Sequence, residues 1–280
     1  MKEEIRIITV NEDPEIRIRL AIKPSREDKY SNRTIIIIPG WLSGIDNFLP
    51  LAEALQLYGN AIIYEPRGFG ESITPHKKGI FSREEYNKEL AYVIRALDLE
   101  EKNFIILGSC SGGSQTFSYI LDGKGPKPLA LAVFSPQEFY GTPFWLPILG
   151  WIPAFIMSFV QKMILIGYRA YLKRKATEDS ETVSWAAERL AMNDDWCLRR
   201  YVHEFIIKYD IRGRQKEIDI PILMVISEKD HFINPEVSNN FKHHSNSEVL
   251  TIKTDTHRVH QDKEKEIAAK INNFLLKLEY

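Results

Sequence analysis

The chain has 280 residues, enough for one large α/β domain or two small ones. At 44% hydrophobic and 27% charged residues it has the composition of a globular protein, which excludes disordered and fibrous architectures. Lys and Arg total 37 against 38 Asp and Glu, a formal net charge of -1 that offers no overall attraction to nucleic acid or to acidic partners.

The first residues, Met1-Lys2-Glu3-Glu4-Ile5-Arg6, are charged and carry no apolar run, so they do not read as a signal peptide. Two cysteines, Cys110 and Cys197, cannot make a disulfide framework, and the expectation is a cytoplasmic protein with reduced thiols. Ile5 to Val10 and Ile16 to Ile22 alternate apolar with polar residues, the pattern of antiparallel edge strands with one wet face. The pattern then changes to continuous apolar runs: Thr34–Ile38, Ala61–Tyr64, Phe104–Leu107, Leu129–Phe134 and Ile222–Ile226. Such runs suit a parallel sheet covered on both faces. Val249–Ile252 reads as a further short strand.

Helical patterns fall between these runs, over Leu51–Tyr58, Ser82–Leu97 and Gly113–Leu121. Ser82 with Glu85 three residues on is a capping-box pair. A last helix over Asp262–Leu278 places Ile267, Ile271, Phe274 and Leu275 on one face. Strand–helix alternation implies parallel strands joined by right-handed crossovers.

Residues 136–217 break the rhythm, with no strand candidate. Phe144–Val160 is uncharged and mostly apolar, and Ser180–Tyr209 reads as polar amphipathic helix. The predicted organisation is a core of residues 1–135 and 218–280 with a helical cap over 136–217. Pro147, Gly150 and Pro153 argue against a membrane-spanning helix in the apolar stretch. Three readings of it remain: the lining of an apolar substrate tunnel, a surface for transient membrane contact aided by Lys173-Arg174-Lys175, or a dimer face.

Ile105-Ile106-Leu107-Gly108-Ser109-Cys110-Ser111-Gly112-Gly113 carries the strongest chemical signal, a buried strand, a glycine-flanked turn and a helix start. This is the G-x-nucleophile-x-G elbow with Cys110 in the nucleophile's place. The turn lifts the side chain clear of the sheet at the positive end of a helix, where a thiol is more readily ionised. Ser109 and Ser111 are the competing nucleophiles. Asp230 follows the strand ending at Ile226, at the sheet edge where α/β active sites assemble, with Glu138 as the reserve acid. His257 follows the last strand, with His260 as its competitor.

The order nucleophile, acid, histidine at 110, 230 and 257 is that of the α/β-hydrolase arrangement. The backbone N–H groups of Trp41, after the strand ending at Ile38, and of Ser111 would form the oxyanion pair. A metal site from His257, His260 and Asp230 is set aside, since no Cys or His cluster supports it. Cys197 reads as a small buried hydrophobe, and His76, His203, His231, His243 and His244 as surface or packing residues.

Over nearly its whole length the chain resembles the α/β-hydrolase superfamily. Pro39-Gly40-Trp41 is similar to that family's His-Gly-aromatic oxyanion loop, and Glu65–Ser72 to its D-x-R-G-x-G-x-S loop. Gly108–Gly113 resembles the elbow, Glu228-Lys229-Asp230 the acid loop and Thr256-His257 the histidine loop. Pro39, Glu65 and Cys110 stand where the family usually has His, Asp and Ser. The resemblance implies a mostly parallel eight-stranded sheet flanked by helices, with the helical cap inserted after the sixth strand.

The expected activity is cleavage of an ester or thioester with an apolar acyl group, through a Cys110-His257-Asp230 triad and an acyl-cysteine, with no cofactor. The partner expected is a small acyl substrate and no nucleic acid. Two alternatives stand beside it: acyl transfer from the same intermediate, and a hydrolase-like protein that binds lipid or a partner without catalysis.

Overall fold

The computed structural model describes residues 4–141, 156, 159, 163, 166, 170, 188–189, 193–230, 235–241, 246–254 and 256–278. Eight strands form one sheet: β1 (Glu4–Glu12), β2 (Glu15–Lys23), β3 (Thr34–Ile38), β4 (Asn60–Glu65), β5 (Phe104–Ser109), β6 (Ala130–Phe134), β7 (Ile222–Ser227) and β8 (Glu248–Ile252). Their order is β1-β2-β4-β3-β5-β6-β7-β8. β1, β2 and β4 pair antiparallel, and every other pairing is parallel. This is the mostly parallel eight-stranded α/β-hydrolase sheet that the sequence predicts.

The apolar runs are buried on both faces because their side chains alternate between two cores. Ile36, Ile38, Ile106, Leu131, Val133 and Met224 point to one, and Ile35, Ile37, Ile105, Leu107, Ala132 and Val225 to the other. Helices α2 (Arg83–Ala96) and α3 (Ser111–Asp122) cover the first face. Helices α1 (Ile45–Leu55) and, near the C-terminus, α6 (Glu264–Leu276) cover the second, α6 through the predicted Ile267, Ile271, Phe274 and Leu275. Ser82 caps α2, its side chain accepting from the Glu85 N–H.

Three elements differ from their predicted form. β1 is exposed along most of both faces, with Ile7 59% exposed, because β2 alone flanks it. Helix α1 starts six residues before the predicted Leu51, at Ile45, and contains Pro50. The last helical stretch is two helices, α5 (Val259–Asp262) and α6, broken at Lys263.

Of the predicted helical region after β6, Phe144–Val160 lies outside the described residues apart from Ile156 and Phe159. Within 193–209 the chain forms α4 (Asp195–Tyr201) and runs on into a π turn over Val202–Ile206. This part is more apolar in effect than its composition suggests. Cys197, Tyr201, Phe205 and Tyr209 are buried in the first core, with Tyr201 and Phe205 stacked at 5.1 Å and Tyr86 edge-on to both. Among the described residues no helix is long and apolar enough to cross a membrane.

Candidate active site

Strand β5 ends in a turn at Cys110, whose φ of 49° and ψ of -113° lie outside the ordinary regions for an L residue. Neighbouring strands and loops hold the turn in place. The Cys110 N–H donates to Phe134 O at 3.0 Å. A Cβ on Gly108 would come within 2.7 Å of Gly113 Cα, and one on Gly112 within 2.3 Å of Ile38 O. The flanking glycines are therefore required by close backbone approach. Cys110 is partly exposed, whereas Ser109 and Ser111 are 7% and 1% exposed and do not share its left-handed backbone. The turn presents the cysteine and buries both serines.

The β7 and β8 loops bring the other two groups together. Asp230 Oδ2 lies 2.8 Å from His257 Nδ1, and the same oxygen accepts a hydrogen bond from Ser135 Oγ at 3.0 Å. The Asp230 side chain is 2% exposed, so its charge is little screened. The His257 ring, its Nδ1 committed to Asp230, also hydrogen-bonds with the Cys110 thiol. Burial pulls the imidazole pKa down, but the hydrogen bonds and charges of Asp230 and Cys110 outweigh it and raise the value to about 10. The structure thus brings Cys110, His257 and Asp230 into one connected series.

The two reserve groups lie elsewhere. His260 is stacked flat on Phe48, ring centres 4.2 Å apart, and neither ring nitrogen has a hydrogen-bond partner. Burial, assisted by the charges of His257 and Arg258, lowers its pKa to about 3, so it is neutral. Glu138 accepts a hydrogen bond from Gln215 instead.

The predicted oxyanion loop abuts the elbow. A Cβ on Gly40 would lie 2.8 Å from Ser109 O and 3.2 Å from Cys110 Cβ, which sets Trp41 beside the nucleophile turn. Ser111 is the first residue of α3. Glu65 anchors the loop's far end by accepting from Ile45 N at 2.8 Å and from Glu71 N at 3.0 Å. Burial raises the Glu65 pKa against those two N–H bonds. Gly70 makes room for this longer carboxylate, since a Cβ there would sit 2.2 Å from Glu65 Oε1.

Sequence reasoning missed three residues. Ser135 supports Asp230, and its positive φ of 47° has no local sequence signal. Tyr201, from α4, is buried near Ser111 and Cys110. Tyr140 pairs with Ser114 at 2.7 Å and lies near Cys110. Burial raises both phenols well above their ordinary range, so both hydroxyls stay protonated.

Residues 30–264 match the profile of the family described as serine aminopeptidase, S33. Curated proteins give no match. Several solved structures share the fold at low identity. A bromoperoxidase from Bacillus anthracis is 18% identical with a TM-score of 0.75, covering 97% of this chain and 99% of its own. A thermophilic esterase from Thermogutta terrifontis is 14% identical with a TM-score of 0.75, covering all of both chains. The enol-lactonase from Burkholderia xenovorans is 18% identical with a TM-score of 0.73, covering 97% of this chain and all of its own. With the profile spanning 30–264 on this sheet, the chain belongs to the serine aminopeptidase S33 family of α/β-hydrolases and is a hydrolase.

Proposed function

We propose that the protein hydrolyses an ester or thioester with an apolar acyl group through an acyl intermediate on Cys110. The observation that carries this reading is the His257 imidazole, shared between a buried carboxylate and a thiol on a left-handed elbow. The raised pKa of His257 keeps the ring protonated at neutral pH, with the proton that the leaving group requires.

In the proposed sequence Cys110 Sγ attacks the carbonyl carbon, a C–S bond forms and the carbonyl electron pair moves to oxygen. The Trp41 and Ser111 N–H groups donate to that oxyanion, a contribution of about 2.7–4 kcal/mol per donor in such sites. The intermediate collapses, the bond to the leaving oxygen or sulfur breaks, and His257 gives that atom its proton. Water then attacks the acyl-cysteine and loses a proton to His257. The C–S bond breaks and the acid leaves. Asp230 fixes the ring tautomer and stabilises the imidazolium.

The family's name refers to serine and to peptides, whereas the nucleophile here is a thiol. A thiolate leaves a tetrahedral intermediate more readily than an alkoxide or an unprotonated amine, so forward collapse depends on His257 protonating the leaving atom, and a thioester, whose leaving sulfur matches Cys110, needs that help least. Acyl transfer to an alcohol, amine or thiol would use the same intermediate. A binding role without catalysis would leave Cys110 unacylated. Intact-mass analysis after incubation with thioesters of increasing chain length, with the released acid quantified, separates these outcomes.

Residues 136–217 are, on this reading, a cap over the Cys110 site, and part of it would meet lipid. Ile156, Phe159, Met163 and Ile166 have helical backbone, follow the spacing of one helix face, and are 41%, 66%, 53% and 62% exposed. From 139 to 177 the sequence carries Lys162, Arg169, Lys173, Arg174 and Lys175 and no carboxylate. An apolar face within a wholly cationic stretch complements an anionic bilayer surface, and a second copy would set like charges against each other.

A further inference from the structure

Away from Cys110, one cluster joins three different donor chemistries. His76 lies in the loop between β4 and α2, Asp194 is the N-cap of α4, and Cys197 is in the first turn of α4. Their ligand atoms, an imidazole nitrogen, a carboxylate oxygen and the thiol sulfur, all lie within 4.8 Å of one another. The groups are also held in orientation. His76 lies flat against Trp196 with ring centres 4.8 Å apart. Asp194 Oδ1 accepts from the Cys197 N–H at 2.8 Å, and its Oδ2 faces His76 Nε2 at 2.9 Å.

We propose that His76, Asp194 and Cys197 bind a zinc-class divalent metal ion, with water completing the coordination. The donor set selects the metal: thiolate, imidazole and one carboxylate suit zinc, whereas calcium and magnesium require oxygen ligands. Tetrahedral zinc with bonds of about 2.0 Å to N and O and 2.3 Å to S separates its ligand atoms by roughly 3.3–3.5 Å. The His76–Asp194 contact must open by about 0.4 Å, and the sulfur must close by no more than about 1.5 Å, shifts within side-chain reach.

A divalent ion would displace the Cys197 thiol proton, replace the contacts among the three side chains and accept a lone pair from His76. His76 and Asp194 are 118 residues apart in the chain, so the ion ties the loop after β4 to the helix that carries Tyr201. Metal binding stabilises the folded protein as any ligand specific for the native state does.

Cobalt(II) titration of the full-length Cys110→Ser variant tests this, because Cys197 is then its only thiol. The expected result is a thiolate-to-cobalt charge-transfer band saturating at one equivalent, displaced by zinc, with a higher Tm in the bound form. His76→Ala, which alters an exposed side chain, weakens cobalt binding at least tenfold, and adding Cys197→Ser abolishes the band. No band at excess cobalt in a folded Cys110→Ser protein overturns the proposal, as does a band that His76→Ala leaves unchanged. None of these readouts depends on catalysis at Cys110.

Discussion

Ser135 donates its hydroxyl to Asp230 Oδ2, the same carboxylate oxygen that holds His257. The acid that orients the imidazole is thus itself oriented by a residue from the end of β6, in a backbone conformation with φ of 47°. Ser135→Ala removes this hydrogen bond to a charged group, a loss of about 1.5–3 kcal/mol in such cases. The account predicts a fall in kcat/KM of roughly ten- to a hundredfold, measured with a chromogenic thioester, together with a lower Tm.

Asp230→Asn removes the negative charge that helps to hold the His257 pKa near 10. A raised histidine pKa stabilises the folded form fully below the unfolded value of about 6.5, and that stability is lost as pH rises through the folded value. Because the imidazolium is also the proton donor to the leaving group, the alkaline limb of kcat/KM is expected near pH 10 in the native protein and lower in Asp230→Asn. A pH–rate profile measured on both proteins checks the direction.

His260 has the opposite sign. Its folded pKa is lowered to about 3, so it contributes stability above pH 6.5 that is lost as pH falls through the window from 6.5 to 3. His260→Phe keeps the stack on Phe48 and removes the titration. Urea unfolding at pH 7 and pH 4.5 is expected to show a smaller loss of stability on acidification in the variant, by about 2–3 kcal/mol.

The exposed apolar face predicts binding to vesicles. The protein is expected to co-sediment with vesicles containing phosphatidylserine and much less with neutral ones, and to be released by salt. Changing both Phe159 and Ile166 to Ser is expected to lower the partition at least tenfold without altering Tm, because both side chains are largely exposed.

Elements whose signal is local were legible in the sequence. The strands follow their apolar runs, α2 starts behind its Ser82 cap, and the elbow follows its glycines. Elements fixed over long distances were not. Helix α1 begins at Ile45 because that N–H is received by Glu65, twenty residues away, and Pro50 hid its continuation. In the candidate site, chain order and glycine spacing pointed to Cys110, Asp230 and His257, and the positions after the strand ending at Ile38 and after the nucleophile pointed to Trp41 and Ser111. Ser135, Tyr140 and Tyr201 depend on tertiary placement and have no periodicity or motif to reveal them. His76, Asp194 and Cys197 come together only when the chain after β6 packs on the loop after β4.

The most direct measurement is the intact mass of the protein rapidly quenched during turnover of an acyl thioester. The account predicts one acyl adduct, mapped to Cys110 by peptide sequencing, that fails to form in Cys110→Ala and forms much more slowly when His257 is changed to Gln. Turnover that persists in Cys110→Ala, or an adduct that maps to Ser109 or Ser111, would contradict it.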